Sequence, residues 1–163
     1  MADLVLTRTD KRLYGLDGVG VLRREKAFWN AATAEAGGRS WHFVCRGWFR
    51  RRIEVTDETG RSAGTFEGNR GFRRGGTVRW EGRDFALRSR STWKAQRFVL
   101  LDGDRDIAVF AGRASDRRPV TVSIDEPGAL DAGLLLFVAF VVRGLVLDAF
   151  VAISAAAAAG AGT

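Results

Sequence analysis

The chain of 163 residues holds one cysteine, one histidine, one tyrosine, one methionine and two prolines. Each scarcity removes a class of chemistry. A lone Cys45 excludes an intramolecular disulfide and a thiolate zinc site, so folding needs no oxidising compartment and a reducing cytoplasm suits it. His42 is the single imidazole that would serve as a base near neutral pH. It lies in the alternating run Ser40-Trp41-His42-Phe43-Val44-Cys45, where it reads as a structural strand residue rather than a catalyst. Cys45 falls on the opposite face by the two-residue period of a strand, which sets a Cys-His couple apart. The sequence shows no nucleophile elbow, phosphate-binding loop or metal-spaced ligand cluster. The expectation is a chain with no catalytic residues, no metal and no cofactor. Its start, Met1-Ala2-Asp3-Leu4-Val5-Leu6, has an early acid and a very short apolar run, unlike a secretory signal.

Lysine is scarce as well. Lys11, Lys26 and Lys94 are the only three among 26 basic residues, so 23 are arginines, against 19 acids and a net charge of +7. A pI near 10.8 favours anionic partners: nucleic acid, acidic lipid headgroups or phosphorylated ligands. A chain heavy in Arg, Ala and Gly also fits a GC-rich bacterial genome, and charge alone leaves both readings open. An apolar fraction of 46% with 28% charged residues is that of a folded domain. The length suits one domain better than two marginal ones.

Along the body of the chain the apolar period is two, with short runs broken by Gly, Asp and Arg, the pattern of an antiparallel sheet. The clearest hairpin is Val78-Arg79-Trp80, Glu81-Gly82, Arg83-Asp84-Phe85-Ala86-Leu87, with Val78, Trp80, Phe85 and Leu87 on one buried face. Further strands are expected at Leu4 to Thr7, Arg12 to Leu16, Gly20 to Arg23, Phe28 to Ala34, Ser40 to Cys45, Arg51 to Thr56, Ser62 to Phe66, Arg97 to Leu101, Ile107 to Ala111 and Val120 to Ile124. Together they make a long meander.

After Pro127 the pattern changes. From Leu134 to Ile153 only Arg143, Gly144 and Asp148 interrupt the apolar residues, and a run of about 20 such residues is long enough to span a bilayer. Length alone reads as a tail anchor. Two observations oppose that. Insertion scales set roughly 2.5 to 3.5 kcal/mol against each charge near the centre of such a helix, and five residues put Arg143 and Asp148 about 140° apart, off a common face. Moreover, a helix apolar on all sides is what the centre of a closed barrel requires, and closure removes the edges so many strands would expose. The expectation is a buried helix over about 129–154, a single domain over 1–154, and an Ala/Gly-rich tail over 155–163.

The order of parts resembles the tubby-like C-terminal barrels, and within them the group containing the phospholipid scramblases. The residues that carry the likeness are the turns Asp57 to Gly60 and Asp102-Gly103, the central hairpin Trp80-Glu81-Gly82-Arg83, and the final hydrophobic helix after an acidic turn. The resemblance implies a closed antiparallel β-barrel of about twelve strands around a central C-terminal helix. It also implies binding of phosphoinositides or other membrane lipids. The chain departs from the calcium-binding segment assigned to eukaryotic scramblases. Asp125, Glu126 and Asp131 are separated by Pro127-Gly128-Ala129-Leu130 and lack the alternating spacing of a compact calcium loop.

The remaining signal is basic and aromatic: Arg46-Gly47-Trp48-Phe49-Arg50-Arg51-Arg52, and the segment with Arg70, Phe72, Arg73 and Arg74. Arginine forks bind phosphate bidentately, and aromatics sit at lipid interfaces or stack on bases. The same residues also suit a solvated arginine face with the aromatics turned inward. The ligand-binding candidates are Arg50, Arg51, Arg52, Arg70, Arg73 and Arg74. The expected protein is a monomeric cytoplasmic binding module, peripheral at the inner membrane face. Nucleic-acid binding, assembly with an acidic protein partner and a membrane tail anchor stand as alternatives.

Overall fold

The computed structural model describes residues 2–25, 30–47, 52–69, 75–90, 96–112, 120–126 and 128–160. Twelve strands are followed by one helix: β1 (Ala2–Arg8), β2 (Leu13–Leu16), β3 (Gly20–Arg24), β4 (Ala31–Ala36), β5 (Arg39–Arg46), β6 (Arg52–Asp57), β7 (Ser62–Gly68), β8 (Gly75–Trp80), β9 (Arg83–Ser89), β10 (Gln96–Asp102), β11 (Arg105–Gly112), β12 (Val120–Ile124) and α1 (Ala132–Gly160). Each strand pairs antiparallel with its sequence neighbours. β1 pairs with β12, from Ala2 opposite Ile124 to Leu6 opposite Val120, which closes the barrel.

Alternation decides which side chains fill the barrel. In β8 and β9, Val78, Trp80, Phe85 and Leu87 are buried while Arg79 and Asp84 face out and pair at 2.7 Å. The turn between them places both Glu81 and Gly82 at positive φ, 46° and 82°, the geometry whose twist suits a two-residue hairpin. β4 runs later than the expected Phe28 to Ala34. It extends to Ala36, where Gly37 and Gly38, both at positive φ, turn the chain; Phe28 and Trp29 lie outside the described residues.

The helix occupies the centre. Leu134 through Val142 are at most 3% exposed on every face of the helix, which is possible only when strands surround it. Twelve strands at a spacing near 4.8 Å and a usual tilt give a barrel about 24 Å across. That leaves room, inside the inward side chains, for one helix of 10–12 Å diameter. Phe43 packs against Phe137 and Phe140 at centroid distances of 5.1 and 5.4 Å, and Trp80 stacks on Phe137 at 5.8 Å. The helix is long and apolar enough to cross a membrane, yet 81% of its best window is buried inside the barrel.

The helix limits differ from the expected 129–154. It starts at Ala132 because Asp131 Oδ1 accepts the Leu134 amide at 3.1 Å, an N-cap bond. It continues to Gly160 because Ala155–Ala159 are the strongest helix formers. Most of the expected tail is therefore helical, and Ser154–Gly160 is exposed.

Candidate functional site

The up-and-down meander sorts every connection to one end of the barrel or the other. The helix enters at the end where Gly133 sits against the rings of Trp41 and Trp80 and Leu136 lies beside Gly20. It leaves toward the end where Val146 packs beside Gly112. The inlet end carries the connections 17–19, 37–38, 58–61, 81–82, 103–104 and 125–131. At the outlet end stand the strand ends joined through 9–12 and, by segments that lie mostly outside the described residues, those joined through 25–30, 47–51, 69–74, 90–95 and 113–119.

By sequence, the segments joining outlet strand ends hold thirteen Lys and Arg against three Asp and Glu, a net +10, ten of these cations lying outside the described residues, whereas the segments joining inlet strand ends hold one Arg against seven acids, a net −6. In sequence, Phe28, Trp29, Trp48, Phe49, Phe72 and Trp93 fall in the segments that join outlet strand ends; all six lie outside the described residues. The described strand ends repeat the asymmetry: the last two residues of each strand at the outlet end include seven arginines and one acid, Glu67.

Of the six expected ligand-binding arginines, Arg50, Arg51, Arg70, Arg73 and Arg74 lie outside the described residues. The strand ends that flank them, Arg46 with Arg52 and Gly68 with Gly75, stand at the same outlet end. Arg52 is described and exposed. Its Nε lies 3.5 Å from Glu54 Oε1, while Arg46 Nε lies 3.2 Å from Glu54 Oε2. Two guanidiniums thus share one carboxylate, and the group keeps a net positive charge. Sequence reading located the two basic segments but not their common end. It also passed over Arg12, Arg23, Arg88 and Arg97, which look like ordinary strand-flanking arginines until closure of the barrel gathers them.

Of the two expected buried charged helix positions, Arg143 is 2% exposed and the largest fully buried side chain among the described residues. Asp148 is half-buried, nearer the outlet. Each has interactions within the fold, although Arg143 Nε and Asp148 Oδ2 are themselves buried atoms that make no hydrogen bond. The barrel thus encloses Arg143 fully and Asp148 in part.

His42 stands on the outer wall, with Nε2 2.9 Å from Glu25 Oε2; the Thr33 hydroxyl donates to the other oxygen of the same carboxylate at 2.5 Å. The carboxylate separates imidazole from hydroxyl, so the imidazole is not set against a group it could activate. Cys45 packs against the core. Among the described residues no three His, Cys, Asp or Glu side chains gather as a metal-ligating group. At the inlet end an open groove of about 500 Å³ runs along Val19, Glu35 and Arg39. It offers one acid and one base at its exposed margin and no buried polar group aimed into it.

Comparison of the chain with protein-family models, with curated proteins and with solved structures finds no match. The geometry therefore carries the functional reading: a closed barrel plugged by its own helix, with described strand ends that are basic at the outlet and acidic at the inlet.

Proposed function

We propose that the protein is a non-enzymatic binding module whose outlet end engages an anionic ligand, with an acidic membrane surface as the favoured partner. The supporting observation is the sorting of charge at the described strand ends, seven arginines with one acid at the outlet against four arginines with six acids at the inlet. Chance composition from a GC-rich genome would scatter arginines over both ends, yet the inlet connections are net acidic. Basic residues near an anionic bilayer contribute about 1 kcal/mol each, and Trp and Phe add apolar anchorage at the headgroup level. The reading agrees with what the resemblance to tubby-like barrels implies, and it makes the protein a cytoplasmic monomer that visits the inner membrane face.

The test is co-sedimentation with anionic and neutral liposomes at low salt. Preferential binding to anionic vesicles is expected, and replacing Arg50, Arg51, Arg52, Arg70, Arg73 and Arg74 with glutamine should reduce it by at least a hundredfold if three or more of them touch the surface, at about 1 kcal/mol each. Equal binding to both vesicle types, or unchanged binding by the variant, refutes the reading. A second reading rests on the same interleaving of Trp48, Phe49, Phe72 and Trp93 with bases, which suits stacking on single-stranded nucleic acid. Salt-sensitive retention of oligonucleotides stronger than that of acidic vesicles would establish it instead.

A further inference from the structure

Resting on that reading, we propose that the barrel docks end-on, with its axis along the membrane normal and its outlet end down, and that it senses surface charge density rather than headgroup identity. The argument uses only described strand ends and the turn beside one of them. Arg12, Arg23, Arg46, Arg52, Arg88 and Arg97 are all exposed at the outlet end. They sit on or beside β2, β3, β5, β6, β9 and β10, so around the closed ring no gap between them exceeds three strands. A ring about 24 Å across is far wider than a single phosphorylated headgroup. A stereospecific pocket would instead gather its cations in one sector around buried polar groups. A ring of separated, exposed guanidiniums matches an extended plane of negative charge.

The inlet end fixes the orientation. Its strand ends and turns carry thirteen acids against five arginines. Strands of about six residues, tilted as usual in barrels, hold the two ends roughly 16 Å apart. That separation exceeds the Debye length of about 8 Å at physiological salt, so an acidic surface attracts one end and repels the other nearly independently. Side-on docking would bring both signs to the surface and lose most of the attraction.

The experiment measures partitioning of the full chain onto phosphatidylcholine vesicles doped with phosphatidylserine, phosphatidylglycerol or a phosphoinositide at matched surface charge. Partition coefficients within threefold of one another are expected. The single variants Arg23→Gln, Arg46→Gln and Arg97→Gln, from three sectors of the ring, should each weaken partitioning by similar factors of about two to five. The inlet variant Asp102→Asn with Asp125→Asn and Glu126→Gln should shift it by less than twofold. A tenfold preference for one headgroup at matched charge, or loss confined to one sector, overturns charge-density sensing. Inlet variants as consequential as outlet variants overturn the end-on orientation. Absence of binding to every anionic vesicle overturns the membrane reading itself, and oligonucleotide binding in its place would transfer the outlet end to nucleic acid. Unchanged far-ultraviolet circular dichroism of each variant separates these outcomes from misfolding.

Discussion

Replacing Asp131 with alanine should weaken the fold by about 2–4 kcal/mol, because one carboxylate oxygen does two jobs at the helix inlet. Asp131 Oδ1 caps the helix by accepting the Leu134 amide at 3.1 Å and also accepts the Trp80 indole N–H at 3.0 Å. Loss of an N-cap costs typically about 1 kcal/mol. Trp80 is 3% exposed, so its stranded N–H adds roughly 1–3 kcal/mol of uncompensated desolvation. For a chain of this size each kcal/mol lowers Tm by about 2–4 °C, which places the shift at roughly 5–15 °C. Asp131→Asn retains an oxygen acceptor and a good cap and should cost less than about 1 kcal/mol, mainly the lost charge–dipole attraction. The assay is urea unfolding followed by circular dichroism, arranged as a double-mutant cycle with Trp80→Phe. In the Trp80→Phe background only the cap remains to be lost, so coupling of about 1–2 kcal/mol is expected. Trp41 supplies a control: its Nε1 is buried and makes no hydrogen bond among the described residues, so Trp41→Phe should cost less than Trp80→Phe. Additivity of the Asp131 and Trp80 changes, or equal costs for Asp131→Ala and Asp131→Asn, would refute the shared-acceptor account.

Gly133→Ala should destabilise despite alanine's helix propensity, since its methyl would fall 2.6 Å from Trp80 Cζ2 and 2.7 Å from Trp41 Cζ2. Overpacking of about 1–3 kcal/mol outweighs a propensity gain near 1 kcal/mol, and a raised Tm would contradict the tight inlet. In acid, stability should fall partly through Asp57. The Thr59 hydroxyl is the largest influence holding its carboxyl below the ordinary range; desolvation opposes it next, and the Arg61 and Thr59 amides, each a smaller effect, add to the lowering. A lowered folded-state pKa gives stability that is present above the unfolded value near 3.9 and is lost as pH falls through the folded value. Asp57→Asn should therefore flatten the drop in urea midpoint between about pH 5 and pH 2.5; an unchanged drop would remove Asp57 from the account.

Much of the architecture was written locally. Period-two alternation at Val78, Trp80, Phe85 and Leu87 marks a buried strand face whatever lies across from it, and Glu81-Gly82 marks the turn, because side-chain direction and φ are local properties. Arg143 and Asp148 pointed away from a membrane because the cost of an intramembrane charge needs no tertiary information. Boundaries were less legible: the Asp131 cap is a local bond to the Leu134 amide, but its second role, accepting from Trp80 51 residues earlier, is not, and Ala155–Ala159 extend the helix beyond the barrel that buries its first half. The candidate site was half legible. Arg50 to Arg52 and Arg70 to Arg74 stood out as local clusters, but Arg12, Arg23, Arg88 and Arg97 carry no mark in the sequence. Which end of a strand faces which partner depends on the direction of every strand in the closed ring. The alternating strand directions of the meander sorted the charges into a basic end and an acidic one, and closure through β1 and β12 bent each set into a ring.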